Sequence, residues 1–324
     1  MCCKNIQHTV SYSSLYICFL LFYGVALLGR EESDNKMLKE YQHRRVGALY
    51  RVSCAIIALL LCTLPQVSKS AAWLQDDGSW QVLQTATYYK TDSYYDPAGV
   101  RQPSGRFQKK EVDLYAEWGA ADDWTIGVQA SLSQSEHYHS PGSGELVESG
   151  LSNVAFFSRH PLWQKGEDII SFQPWVKFPV QSSQDIAAGN PEKAWEAELR
   201  LLYGHCFCDD DIASPDHFSN LEVAYRKRYG DATDQLRIDA TFGFRPQDDI
   251  LLMPQLFATI STNDVFRAGG NLVNPYDYNS AKLQFSVVKD VDRHWSMQFG
   301  GYRYVWSENT GGGGGVLFSF WYRY

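Results

Sequence analysis

Residues 315–324 read GVLFSFWYRY. Side chains of an extended strand alternate between two faces. One face then carries Val316, Phe318, Phe320, Tyr322 and Tyr324, and the other Leu317, Ser319, Trp321 and Arg323. The first face is apolar and aromatic throughout. It asks for a surrounding as apolar as itself, either the core of a sandwich or lipid. The same habit recurs upstream. Val112, Leu114, Ala116 and Trp118 oppose Glu111, Asp113, Tyr115 and Glu117. After the turn at Gly119–Asp123, Trp124, Ile126, Val128, Ala130 and Leu132 oppose Thr125, Gly127, Gln129, Ser131 and Ser133. This is a hairpin with one greasy and one polar side. A soluble sandwich alternates in the same way, so alternation alone leaves the surroundings open.

The connections separate the two. The pattern predicts twelve strands over 80–90, 108–119, 124–134, 151–159, 168–179, 193–205, 217–228, 234–245, 250–262, 278–290, 294–306 and 313–324. Gaps 91–107, 135–150, 180–192, 229–233, 263–277 and 307–312 alternate with gaps 120–123, 160–167, 206–216, 246–249 and 291–293. Most of the first set are long, and most of the second are tight turns. Long loops at one end and short turns at the other mark a transmembrane β-barrel with both termini on the short-turn side, and such barrels have an even strand number. Strands of about 10–12 residues suit a tilted crossing. The expected fold is therefore all-β: an antiparallel up-and-down transmembrane β-barrel of about twelve strands.

The polar faces are charged. A charge turned toward hydrocarbon costs about 2–4 kcal/mol at the bilayer midplane. These side chains are therefore expected to face the lumen, where Arg and carboxylate pair across neighbouring strands. Glu111, Asp113, Glu117, Glu198, Arg200, Glu222, Arg226, Arg237 and Asp239 are the candidate pore-lining residues. Their expected role is electrostatic selection and wetting, as charged rings do in pores. The same residues could instead plug a narrow barrel, since twelve strands enclose less space than sixteen. The expected bore is hydrophilic, wet or salt-bridged.

Residues 1–72 carry two apolar stretches, 15–28 and 52–65, both short of the ~20 residues a spanning helix needs. The second follows basic residues (Lys39, Arg44, Arg45, Arg51) and precedes the small residues Ser70 and Ala72, the layout of a secretory signal. The expected organisation is an upstream extension over 1–36, a signal peptide over 37–72 starting at Met37, cleavage between Ala72 and Trp73, and the barrel over 73–324. A retained membrane helix is the alternative. A lipoprotein site at Cys62 is disfavoured by the bulk of Leu61. Five of the seven cysteines precede the cut, and Cys206 with Cys208 remain. Two cysteines fall short of a zinc site, which takes three or four ligands.

Residues 1–72 hold 8 of the 29 Lys and Arg and 4 of the 37 Asp and Glu, so the remainder carries a net charge of −12. That balance excludes nucleic acid as a partner. Aromatic residues make up 15% of the chain, a load that two interfacial girdles would explain.

The stretch 315–324 resembles the closing strand of bacterial outer-membrane barrels. That resemblance makes Phe318, Phe320, Tyr322 and Tyr324 an assembly signal, and outer-membrane lipid and the barrel-assembly machinery the partners. Four further stretches, 78–96, 109–129, 150–163 and 234–257, resemble the outer-membrane barrels named for the meta-pathway of phenol degradation. The shared features are a Tyr-Tyr strand end, a strand closing near a Trp turn, and a Gly-Leu-x-Asn strand opening at Gly150–Asn153. The resemblance implies a transporter or channel in the Gram-negative outer membrane, and it names no solute.

Three other features carry competing chemistry. His217-Phe-Ser219-Asn220 resembles the motif of outer-membrane phospholipase, another twelve-stranded barrel. Leu221 stands where that motif has glycine, and the site would lie at the wrong end. His137 and His139 could meet a metal on an extended segment, and Asp209–Asp211 resembles a calcium cluster. Each lacks the partners its chemistry needs and reads as solvated loop or turn. The run Gly311–Gly315 is followed by no Lys-Ser/Thr and is no phosphate loop. It is expected to bend the last strand or to leave lumen space for a bulky neighbour. The resulting expectation is passive passage of small solutes, with no enzymatic activity, cofactor or metal. The alternatives are a closed structural barrel, or one that binds through loops 91–107, 135–150 and 263–277.

Overall fold

A computed structural model describes residues 72–138, 145–178, 195–207, 217–230, 232–262 and 276–324. Every described residue belongs to one compact unit, Leu64–Tyr324. The upstream extension and most of the signal peptide, as well as His139, Cys208 and Asp209–Asp211, lie outside the described residues. So do all of loop 180–192 and most of loop 263–277.

All regular structure among the described residues is β. The strands are β1 (Trp80–Tyr95), β2 (Arg101–Ala121), β3 (Trp124–Tyr138), β4 (Glu145–Lys165), β5 (Asp168–Phe178), β6 (Glu196–Phe207), β7 (His217–Arg228), β8 (Gln235–Gln247), β9 (Ile250–Ser261), β10 (Asn279–Asp290), β11 (Trp295–Glu308), β12 (Thr310–Gly311) and β13 (Gly314–Arg323). β12 and β13 form one stave interrupted at Gly312 and Gly313, so the barrel has twelve staves. Each stave pairs antiparallel with the next in sequence. β1 pairs with both β2 and β13, from Gln81↔Arg323 to Lys90↔Gly314. The sheet therefore closes and leaves no free edge.

The alternation resolves into outside and inside. Phe299 is 62% exposed and Leu199 58%, whereas Ser171, Ser286 and Ser319 are fully buried. Apolar side chains facing out and polar ones facing in invert the order of a soluble core. The outer surface carries aromatic pairs near both ends. Trp80 stacks on Trp118 (5.7 Å) and Trp295 meets Tyr322 (4.8 Å) at the short-turn end. Phe178 meets Trp195 (4.5 Å) and Phe156 (5.6 Å) at the loop end.

Two expected loops are largely strand. β1 and β2 continue to a tight turn at 96–100, and β3 and β4 extend to Tyr138 and from Glu145. Polar, Pro- and Gly-containing sequence reads as loop, but the ladder continues across the hairpin to Tyr95↔Arg101, and Pro103 sits beside the register shift at Thr91/Ser93. A bulge tolerates the missing N–H of proline. At the tip, Asp96 Oδ1 accepts hydrogen bonds from the Ala98 (3.0 Å) and Val100 (2.9 Å) amides. β4 likewise runs past the expected end at 159, through the irregularity at Pro161/Trp163, to a turn at Gly166 (φ 58°).

Candidate functional site: the barrel lumen

The nine candidate residues all lie on inward faces, and the structure sorts them into three places. Glu117 belongs to the short-turn end. There the chain preceding β1 turns into the lumen and packs. Ala72, Leu74, Ile169 and Leu202 form a buried apolar cluster with Trp73 against it. Ser171 Oγ donates to the Ala72 carbonyl (2.6 Å), and the Gln75 amide donates to Thr125 Oγ1 (2.8 Å). The Gln75 side chain bonds Glu117 and Gln81. Arg159, 2% exposed, ties this segment to the wall. Its Nη1 donates to the Trp73 carbonyl (2.9 Å), its Nε to Gln173 (3.0 Å), and its Nη2 pairs with Glu117 (3.2 Å). Gly204 makes room, because a Cβ there would lie 2.4 Å from the Trp73 ring.

A second apolar cluster also faces inward at this end. Leu251, Met253, Val288 and Trp321 pack together, with Leu83 and Phe218 against them. The expectation of a hydrophilic bore therefore needs correction in this half, where the interior is filled by packed side chains and by Ala72–Gln75. Period-two patterning reports which face a residue occupies. It does not report that two inward apolar residues from distant strands meet across the barrel.

Six candidates form a network on the wall of β5–β8. Glu198 meets Arg200 (2.7 Å), Arg226 (2.8 Å) and Arg237 (3.7 Å). Arg200 pairs further with Glu222 and with Asp239 (3.2 Å). Arg226 reaches Glu196 (3.0 Å), which Lys177 also holds at 3.0 Å. The Arg226 guanidinium lies 4.4 Å over Trp175. Within this network four cations face four carboxylates, so the network is balanced. Glu196 shares the polar face of Glu198 and Arg200 and so was expected to face the lumen, although it is not among the nine; Lys177 and Trp175 were missed by sequence reasoning. Each stands on the inward parity of its strand, and that parity was the available signal.

Glu111 and Asp113 line the third place, a cavity of about 740 Å³ in the loop half between β1, β2 and β10–β13. Lys109 pairs with Glu111 (2.5 Å), and Ser131 Oγ donates to Asp113 (2.5 Å). Tyr89, Phe107, Tyr302 and Tyr304 supply rings to its wall. Tyr89 and Tyr302 are parallel at 6.4 Å. The glycine run accommodates such rings. A Cβ on Gly312 would lie 2.1 Å from Tyr95, and one on Gly315 2.7 Å from Tyr302.

The competing chemistries do not assemble. His217 and Ser219 share the outward face and make no hydrogen bond to one another among the described residues. His217 Nδ1 instead accepts from the Arg245 amide (3.1 Å). His137 packs on Phe107 at 4.6 Å. Among the described residues no group of three or more His, Cys, Asp and Glu could hold a metal. Cys206 is disulfide-bonded.

No protein-family profile matches the chain, and no curated protein does. Solved structures do. An outer-membrane channel from Pseudomonas putida F1 superposes with a TM-score of 0.59 at 12% identity, over 80% of this chain and 100% of that one. The NanC porin aligns at 0.46 with 8% identity, over 74% of this chain and 98% of that one. The translocator domain of the autotransporter NalP from Neisseria meningitidis aligns at 0.44 with 11% identity, over 88% and 96%. The first of these likenesses shows that the fold is that of an outer-membrane β-barrel.

Proposed function

We propose that this chain is a Gram-negative outer-membrane barrel that passes small solutes passively through its lumen. The observation that carries the reading is the cavity of about 740 Å³ in the loop half, lined by charged and hydroxyl-bearing side chains inside an apolar exterior. The likeness to a channel of the same fold supports it, as does the resemblance to the barrels of the phenol meta-pathway. In this reading the loop end faces outward and the short-turn end faces the periplasm. Phe318, Phe320, Tyr322 and Tyr324 then present the lipid-facing edge of the closing stave to the assembly machinery. The chain acts as no enzyme. Cleavage after Ala72 would make Trp73 the first residue and place the new amino terminus inside the lumen, which amino-terminal sequencing would test.

The filled short-turn half favours a second reading, a barrel that is closed at rest. Planar-bilayer recording separates the two. A channel gives resolvable single-channel steps with the wild-type protein. A closed barrel gives none with the wild type and acquires them when Arg159→Ala frees the Trp73–Gln75 segment. No current from either protein would remove the channel reading.

A further inference from the structure

The two charged regions of the lumen differ in balance. In the β5–β8 network, Lys177, Arg200, Arg226 and Arg237 each meet a carboxylate within 4 Å. The cavity is lined by three cations, Arg106, Lys109 and Lys282, against two carboxylates, Glu111 and Asp113. Lys109 is spent on Glu111 (2.5 Å). Lys282 has no hydrogen bond and no ion pair among the described residues. Its ammonium sits 4.4 Å from the Phe257 ring centroid and 4.8 Å from that of Tyr302. Asp239, Glu111 and Asp113 act on it electrostatically from beyond contact, and Arg237 opposes them.

This half-buried ammonium carries three hydrogen-bond donors. The rings supply cation–π attraction and no acceptor. An acceptor must come from the cavity, either as water or as a solute. The surrounding Tyr89, Phe107, Tyr302 and Tyr304 offer flat apolar surface beside phenolic hydroxyls. A few placed polar groups in an aromatic wall are the usual make-up of a small-molecule site.

We propose that this cavity binds small organic carboxylates, with Lys282 receiving the carboxylate and the aromatic collar receiving the apolar body. The proposal deepens the channel reading by naming the class of solute that the loop half selects. A charge-assisted contact between Lys282 and a carboxylate supplies the discrimination. Neutral and cationic analogues of the same shape forfeit it.

Calorimetric titration of sodium benzoate into the detergent-folded full barrel tests the site independently of any current. Saturable binding is expected. Benzyl alcohol and benzylamine should compete poorly. Lys282→Gln should weaken benzoate by about tenfold or more, the scale of one charge-assisted contact, and Lys282→Arg should retain it. Folding of each variant is checked by its heat-dependent shift on gels. Absence of saturable binding overturns the proposal, and so does equal affinity in Lys282→Gln or equal binding of the alcohol. If Lys282→Gln does not fold, the Arg variant and the two analogues still decide the matter. Bilayer recording of the same proteins keeps the two claims apart. Benzoate binding without current keeps the site and removes the channel, whereas current without benzoate binding does the reverse.

Discussion

The two halves of the lumen are built from the same staves, yet one is packed and the other is open. At the short-turn end, Arg159, Glu117, Gln75 and the Trp73 carbonyl satisfy one another inside a shell that includes Leu74, Ile169 and Leu202. At the loop end, the Lys282 ammonium faces a cavity and, among the described residues, lies against the Phe257 and Tyr302 rings without a hydrogen bond or ion pair. Inward parity is therefore a necessary condition for lining a passage, and it is not a sufficient one. What distinguishes the halves is whether another part of the chain enters. Ala72–Gln75 enters one half, and among the described residues nothing comparable fills the other.

The largest test of this contrast is Arg159→Ala. It leaves Glu117 buried without its cation, and breaking a buried pair in this way costs about 3–5 kcal/mol. Urea unfolding should show the loss, together with faster proteolysis after the Ala72–Gln75 segment. A variant as stable as the wild type would mean that the segment is not latched. Gly204→Val sharpens the same point with a smaller effect. A Cβ at that position meets the Trp73 ring at 2.4 Å, and overpacking of this kind costs about 1–3 kcal/mol. Displaced Trp73 should show as red-shifted tryptophan emission.

In the open half the corresponding change should be mild. Lys109 is partly exposed, and its pair with Glu111 is screened by the water the cavity admits. Lys109→Met should therefore alter stability by less than about 1 kcal/mol. A loss comparable to that of Arg159→Ala would show that the loop half is as dry as the other. The smallest effect belongs to the hairpin tip. The amide of Val100, then the Gln102 side chain, hold the Asp96 carboxyl below its ordinary range. A depressed carboxylate stabilises the turn above its unfolded-state pKa and releases it as pH falls through the folded-state value. Amide protection at Ala98 and Val100, measured against the intrinsic exchange rate at each pH, should fall as pH drops below the ordinary carboxylate range, with the rest of the barrel unchanged. Constant exchange there would show that Asp96 does not hold the tip.

Much of this was legible in the sequence. The terminal alternation of Val316, Phe318, Phe320 and Tyr322 against Leu317, Ser319 and Trp321 is the observed division between outside and inside. The nine charged candidates fall on inward faces because a strand has only two faces, and hydrocarbon excludes charge from one of them. Arg159 was not legible as the latch. It is a lone Arg in a strand, and its partners lie on β2, on β5 and in the segment before β1. Contacts across a barrel have no fixed sequence spacing. Lys282 was missed for the opposite reason, because its importance comes from an acceptor that the described residues do not supply. The hairpin extensions beyond residues 90 and 134 were missed because turn-forming residues also tolerate a paired, water-exposed ladder.

The contrast between the halves is tested most directly by thiol reactivity in the lumen. Single variants Asp113→Cys and Leu251→Cys, in the folded barrel, would be reacted with a small charged methanethiosulfonate. The cysteine at 113 should modify rapidly, and the one at 251 should remain protected until the barrel is unfolded. Equal rates at the two positions would contradict the account.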